Sequence, residues 1–325
     1  MTLLEDIVWP PRNSTAAEVV EEVDLSGKFV LITGGNTGIG YESAKALAGA
    51  GAHLLLACRN PIKASLARER ILKAHPGAKV DCLPLDLADL NSVEAFAETF
   101  VQKGWPLNVL ILNAGLCNPR SSHTGDGFET TFQVNHLAQW YLTQLLIPAL
   151  KAAAPSRVVI LSARAHKHSS LSRPRDLEEE ANLSPPQDAG TVTNWRRYAN
   201  SKLCNVLTAR ALHTLLHDAG VSVFAVHPGR VRTDFGRNLR GASLLKWLLK
   251  SPVGEKGAAG PVFLATGPGL EAVSGEYFEA LQHVRASSLG QKDEAAAFLW
   301  HASESLVNEW KAKRRSTETR RFTHA

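Results

Sequence analysis

The sequence predicts an α/β protein built as one doubly wound parallel sheet in a single domain. Three observations carry this reading. Short apolar runs alternate with helical patterns along most of the 325 residues. The first run ends in a glycine-rich turn that opens a helix. No internal repeat interrupts the alternation. Strands that alternate with helices imply parallel pairing with both faces covered, and right-handed crossovers then place a ligand site at the carboxyl ends of the strands.

The elements follow in order. Lys28 to Thr33 is an apolar run that reads as the first strand, and a helix is expected from about Gly38 to Ala50. His53 to Ala57 reads as a second buried strand. Pro61 to Ala74 reads as a helix, with Pro61 suited to a first turn, where its missing N–H costs nothing. Val80–Leu83, Val109–Leu112, Val158–Leu161 and Val221–Val226 are the further strands. Asn91–Gln102, His136–Ala153 and Asn200–His217 are the helices between them. Two stretches break the alternation. Lys167 to Asn194 is rich in Ser, Pro and charge and reads as a loop. Asp234 to Glu255 holds the patch Leu244-Leu245-Lys246-Trp247-Leu248-Leu249, which suits a substrate lid, a membrane-surface contact or a dimer face. Residues 1–24 read as a leader, 25–310 as the domain and 311–325 as a basic tail.

A hydrophobic content of 44% is ample for a core. The net charge of +5 misleads, because the tail holds six basic residues against Glu318, and that surplus is the whole of it. The body is neutral, which argues against nucleic acid as a partner, and the tail reads as a solvated end or as a contact for anionic lipid or a partner. Cys58, Cys82, Cys117 and Cys204 show no paired spacing, so reduced thiols in a cytoplasmic compartment are expected. No run approaches the length of a membrane span, and Met1 to Pro11 lacks a signal-peptide core.

Thr33-Gly34-Gly35-Asn36-Thr37-Gly38-Ile39-Gly40 follows a strand and opens a helix. Gly34, Gly38 and Gly40 permit a tight turn and close approach to a pyrophosphate, while the helix N-terminus offers N–H groups and a favourable dipole. Gly34, Asn36, Thr37, Gly38, Ile39 and Gly40 are therefore the first candidate dinucleotide-binding positions. The second strand ends at Ala57-Cys58-Arg59 without the carboxylate that would accept ribose hydroxyls. Arg59 offers instead a guanidinium fork suited to a 2′-phosphate. Far downstream, Tyr198 and Lys202 lie four residues apart, one helical turn, so their side chains share a face. A phenol near an ammonium has its ionised form favoured, which makes Tyr198 a candidate acid/base. His166 and His168 lack a further ligand at metal spacing, and no metal is expected.

With Asp86-Leu87, Asn113-Ala114-Gly115, Asn135 and His227-Pro228-Gly229 in order between and after these motifs, the chain resembles the short-chain dehydrogenase/reductase family from about Leu25 to about Trp310. Ala57-Cys58-Arg59-Asn60, Phe132-Gln133-Val134-Asn135-His136 and Tyr198-Ala199-Asn200-Ser201-Lys202-Leu203-Cys204-Asn205 look most like its retinol dehydrogenase branch, and the oxidoreductase domain of the WW-domain-containing oxidoreductase is similar. The resemblance implies an NADP(H)-dependent oxidoreductase acting on a small lipophilic alcohol or carbonyl, and it leaves a homodimer open. It implies that Asp86 and Leu87 flank the adenine and that Asn113, Ala114 and Gly115 line the wall beside the cofactor. Val231 and Thr233 should meet the nicotinamide carboxamide and nearby phosphate. The resemblance implies further that Tyr198 exchanges the proton, that Lys202 lowers its pKa and binds ribose hydroxyls, and that Asn135 supports a proton relay.

The family's fourth residue is a serine, and here the chain departs. It reads Leu161-Ser162-Ala163-Arg164-Ala165-His166. Holding Ala165-His166 in family register puts Ala163 at the serine position. Neighbouring strand residues face opposite ways, so Ser162 serves only if the strand end slips or bulges by one residue. A site without that donor is slow, recruits another donor, or belongs to a non-catalytic NADP(H)-binding regulator or scaffold.

Overall fold

The computed structural model describes residues 7–117, 123–173, 176, 191–229 and 254–323. Eight strands form one sheet in the order β3-β2-β1-β4-β5-β6-β7-β8. They are β1 (Phe29–Thr33), β2 (His53–Cys58), β3 (Lys79–Pro84), β4 (Val109–Leu112), β5 (Ser156–Leu161), β6 (Val221–His227), β7 (Tyr277–Glu279) and β8 (Gln282–His283). All neighbours pair in parallel except β7 and β8. The strand order reverses at β1, between β2 and β4, which is where such folds bind dinucleotides.

The sheet separates two cores by the two-residue period of a strand. Phe29 and Leu31 of β1 point into one, with Phe96, Trp140 and Leu207. Val30 and Ile32 point into the other, with Leu47, Ile71 and Phe263. Helices α1 (Ala16–Val19), α2 (Gly38–Gly49), α3 (Pro61–Ala74) and α4 (Leu90–Gln102) precede a one-turn α5 (Thr130–Phe132). A π-helical turn over Gln133–Leu137 leads into α6 (Ala138–Ala152), and α7 (Thr191–Leu216), α8 (Gly254–Thr266) and α9 (Asp293–Thr323) complete the order. Among the described residues, no helix is long and apolar enough to cross a membrane.

Both ends of the chain differ from their sequence reading. Residues 7–24 of the leader pack on the body: Ile7, Ala16 and Val20 are buried, and Trp9 packs on Phe263 and Phe278 with ring centroids 5.5 and 6.2 Å away. Thr15 and Glu18 form a reciprocal capping box on α1. The basic tail is not a solvated coil, because α9 runs unbroken through residue 311 to Thr323. Arg314 donates to Glu94 at 2.6 Å and Asn91 at 2.8 Å, and the Lys311 ammonium lies 4.8 Å from the Tyr141 ring centre. Helix α7 begins nine residues before the expected Asn200, so Tyr198 lies inside it rather than ahead of it. The Leu244–Leu249 patch lies outside the described residues, as does most of the expected loop before Asn194.

Candidate active site

The carboxyl ends of β1, β4 and β5 bring the predicted residues to one edge of the sheet. At the end of β1 the backbone turns through Gly34, whose φ is +67°, and Gly38, whose φ is +56°. Both lie in the left-handed region that side chains disfavour. Gly40 is held for a different reason. A Cβ there would stand 2.4 Å from Asn113 Nδ2 and 2.6 Å from the Gly34 carbonyl oxygen. Asn113 Nδ2 donates to the carbonyls of Thr33 (2.9 Å) and Gly34 (3.2 Å), and the Thr33 hydroxyl accepts from the Ala114 N–H at 3.0 Å. These bonds lock the β1 and β4 ends together. Thr37 precedes α2 in extended conformation, and its side chain makes no capping bond. The first N–H groups of α2 thus have no side-chain acceptor, which fits an anionic pyrophosphate.

Beside this turn, Arg59 is exposed and Asn60 caps α3, accepting from the Lys63 N–H at 2.9 Å. Cys58 is buried at the end of β2, and burial first, then Cys82, pushes its thiol up to about 12, against hydrogen bonds from Gly35 and Asn36. Asp86 accepts from the Ala88 N–H at 3.0 Å, and its own N–H donates to Ser92 at 2.9 Å, so it shapes the loop after β3.

Asn135 sits in the π-helical turn, a distortion common at functional sites. Its side chain clamps Leu116 on both sides, accepting from the N–H at 2.8 Å and donating to the carbonyl at 2.9 Å, and it also donates to Ser201 at 3.0 Å. Gln139, which sequence reasoning missed, donates to the carbonyls of Ala114 and Asn135, each at 3.0 Å. The close packing shows at Gly115, where a Cβ would stand 3.3 Å from Asn135 Oδ1 and 3.4 Å from Lys202 Nζ.

Tyr198 and Lys202 rise from α7 into this edge, 7% and 3% exposed. Lys202 Nζ donates to the Leu161 carbonyl at 2.9 Å and lies 5.7 Å from the Tyr198 ring centre. Asn205, one turn further along and also missed, donates to the same carbonyl at 2.9 Å. Burial sets both acidities in the protein alone. It lowers the Lys202 ammonium to about 7, with Cys117 opposing, and it raises the Tyr198 phenol, with Cys117 adding. The expected depression of Tyr198 is therefore absent here, because desolvation of a phenolate outweighs a nearby amine.

The β5 end carries no slip. Residues Ser156 to Leu161 pair one for one with Val221 to Val226, and the Ser162 N–H continues the ladder to the Val226 carbonyl at 2.8 Å. Ser162 donates its hydroxyl to the Lys202 backbone carbonyl at 2.7 Å. Ala163 faces the other way, extended, and packs with Tyr198, Ala199, Ala165 and Cys117. His166 fixes this stretch. One ring nitrogen lies 2.8 Å from the Ala163 carbonyl, and the other accepts from the Ser287 N–H at 3.0 Å, so the imidazole is neutral with its proton on Nδ1. Burial lowers its pKa in agreement. Val231 and Thr233 lie outside the described residues.

A family model described as short chain dehydrogenase matches residues 28–173. The WW domain-containing oxidoreductase of Homo sapiens is 40% identical over 302 residues, covering 91% of this chain and 72% of that protein. Human retinol dehydrogenase 12 is 40% identical over 288 residues, covering 88% of each. A crystal structure of an uncharacterised protein from Mycobacterium paratuberculosis shares the fold with a TM-score of 0.70 and 28% identity, over 91% of this chain and 98% of that one. A structure from Beutenbergia cavernae, described as an NAD(P)-dependent gluconate 5-dehydrogenase with bound NADP, reaches 0.62 at 24% identity, over 79% and 96%. The chain belongs to the short-chain dehydrogenase family, whose members use a nicotinamide cofactor.

Proposed function

We propose that this protein is an NADP(H)-dependent oxidoreductase that interconverts a lipophilic alcohol and its carbonyl, of retinoid, steroid or polyketide type. The observation that carries the reading is the convergence of Tyr198, Lys202 and Asn135 beside the glycine turn, with Gly115 packed between Asn135 and Lys202. Its lipophilic substrate class rests on the likeness to a retinol dehydrogenase. The bound cofactor supplies or accepts hydride. Gly34, Asn36, Thr37, Gly38, Ile39 and Gly40 would hold its pyrophosphate, Arg59 its 2′-phosphate and Asp86 and Leu87 its adenine, with Asn113, Ala114 and Gly115 beside them. Val231 and Thr233, outside the described residues, are the candidates for the nicotinamide end by family resemblance alone.

Tyr198 holds the proton at its phenolic oxygen and gives it to the substrate carbonyl oxygen in reduction, or takes it back in oxidation. Lys202 stands next to it, and in its protonated form its charge favours the phenolate against the cost of burial. Asn135 holds the Leu116 backbone, so the loop beside Tyr198 keeps its place. Ser162, the candidate for the fourth role, acts on the Lys202 backbone in this account, and Ala163 is the residue beside Tyr198. One oxyanion-type donor is then missing, a deficit worth roughly 10²–10³ in rate. Cys58, Cys82, Cys117 and Cys204 form no disulfide, which is in keeping with a cytoplasmic setting.

A panel of lipophilic aldehydes and ketones with NADPH, followed by cofactor absorbance, tests the reading, and turnover of any of them upholds it. Ala163 favours a second reading, a non-catalytic NADP(H)-binding regulator or scaffold. Tight NADPH binding with no turnover across the panel would establish that one instead.

A further inference from the structure

Arg59 is not the only cation beside the glycine turn. A cavity of about 610 Å³ opens between that turn and α3, lined by Asn36, Thr37, Lys63, Glu69, Arg70 and Lys73. Asn60 and Pro61 fix where α3 starts, and Lys63 and Arg70, seven residues apart, then share one helical face two turns long. Arg70 is oriented toward the turn. Its Nη2 lies 3.5 Å from the Asn36 carbonyl oxygen, and its guanidinium lies 4.3 Å above the Tyr41 ring centre. A cation held over an aromatic face keeps its plane, and Arg70 so held forms part of the cavity wall. Among the described residues, no ion pair engages Lys63, Arg70 or Lys73. Glu69 is the one carboxylate in the lining, so the cavity carries a net positive charge.

We propose that Arg70, with Lys63 beside it, is a specificity-determining residue that recognises a phosphate monoester on the adenosine ribose, so that α3 and not Arg59 alone selects NADP(H). This rests on the NADP(H) reading of the cleft. The pyrophosphate belongs to the α2 N-terminus, whereas the adenosine ribose hangs on the β2 side of the turn, where Asn36 and Thr37 meet α3. A dianion there meets a forked guanidinium, the geometry that arginine offers phosphate and lysine does not.

The test uses the full chain and two fragments that lack nicotinamide, 2′-phospho-ADP-ribose and ADP-ribose, titrated calorimetrically. Wild-type protein should bind the phosphorylated fragment at least roughly tenfold more tightly. Arg70→Gln should lose about tenfold for it and less than twofold for ADP-ribose. Lys63→Gln should lose less, and Arg70→Lys should fall between, because the charge stays and the fork goes. Arg70 is exposed, so an unchanged melting temperature should accompany the loss. Unchanged affinity in Arg70→Gln, or equal losses for both fragments, overturns the role of Arg70 while leaving the NADP(H) reading intact. Wild-type protein that binds ADP-ribose as tightly as its phosphorylated form overturns both.

Discussion

The two halves of the cleft are built on different principles. On the cofactor side, β1 and β4 meet in contacts so tight that Gly40 has no room for a methyl group, and Asn113 bonds both carbonyls of the turn. Geometry there dictates residue type, and the chain keeps the residues that geometry demands. On the substrate side, the end of β5 has a sound ladder and a neutral His166 holding it, yet the side chain it turns toward Tyr198 is a methyl group. Backbone geometry does not dictate that residue; chemistry does. The difference teaches where variation can enter such a site: tight contacts constrain the turn beside Gly40, while the backbone at the end of β5 leaves the side chain at position 163 open to change.

The largest expected effect breaks the cofactor half. Gly40→Val must push aside Asn113 and the Gly34 carbonyl, so NADPH affinity should fall at least roughly 10²-fold as the turn opens. Near-normal affinity in the variant would show that the tight junction is dispensable. The substrate half should respond in the opposite sense. Ala163→Ser should raise turnover at least roughly tenfold by restoring a donor toward the developing charge on substrate oxygen. Ser162→Ala should leave turnover within about threefold and cost about 1 kcal/mol of stability, the worth of its buried bond to the Lys202 carbonyl. If Ser162→Ala instead abolishes turnover and Ala163→Ser does nothing, the strand end is used in the slipped register.

A smaller effect separates catalysis from stability at Lys202. Its folded pKa of about 7 lies below the ordinary lysine value of 10.5. Between those pH values the unfolded chain binds a proton that the folded one does not, so this group makes stability rise with pH across that window and penalises folding fully below it. Lys202→Met removes the penalty. In the cofactor-free protein its melting temperature should exceed that of wild type most at pH 6–7, with the gap shrinking toward pH 10, while turnover is lost. A gap that stays constant with pH would mean that Lys202 is not held desolvated.

How much of this was legible in the sequence follows the same division. The glycine turn, the strand it ends and the Tyr198–Lys202 pair are local patterns, and the structure puts them at one sheet edge. The register at Ser162-Ala163 was legible only as a choice, because Ala165-His166 hinted at it and the packing of Ala163 on Tyr198 decides it. The π-helical turn at Asn135 leaves no mark in the sequence pattern, since Gln133, Asn135, His136 and Leu137 are all buried and offer no one-sided apolar stripe whose phase could shift. Helix α7 was read too short because five of the seven residues from Thr191 to Arg197 are polar, yet Arg197 is buried. Arg314 read as part of a solvated or partner-contacting tail because the groups it bonds, Glu94 and Asn91, lie more than two hundred residues away in the chain. Burial dominates the acidity of Tyr198 in the protein alone, and a local motif says nothing of how deeply Tyr198 and Lys202 are buried.

The central claim is that Tyr198 carries the proton in a cleft that binds NADPH independently of it. The most direct test measures turnover of the best carbonyl substrate and the NADPH dissociation constant side by side in wild type and Tyr198→Phe. The account predicts a dissociation constant within about twofold of wild type and turnover reduced at least roughly 10²-fold, as removal of a positioned proton donor requires. Turnover near the wild-type rate, with the cofactor still bound, would contradict it.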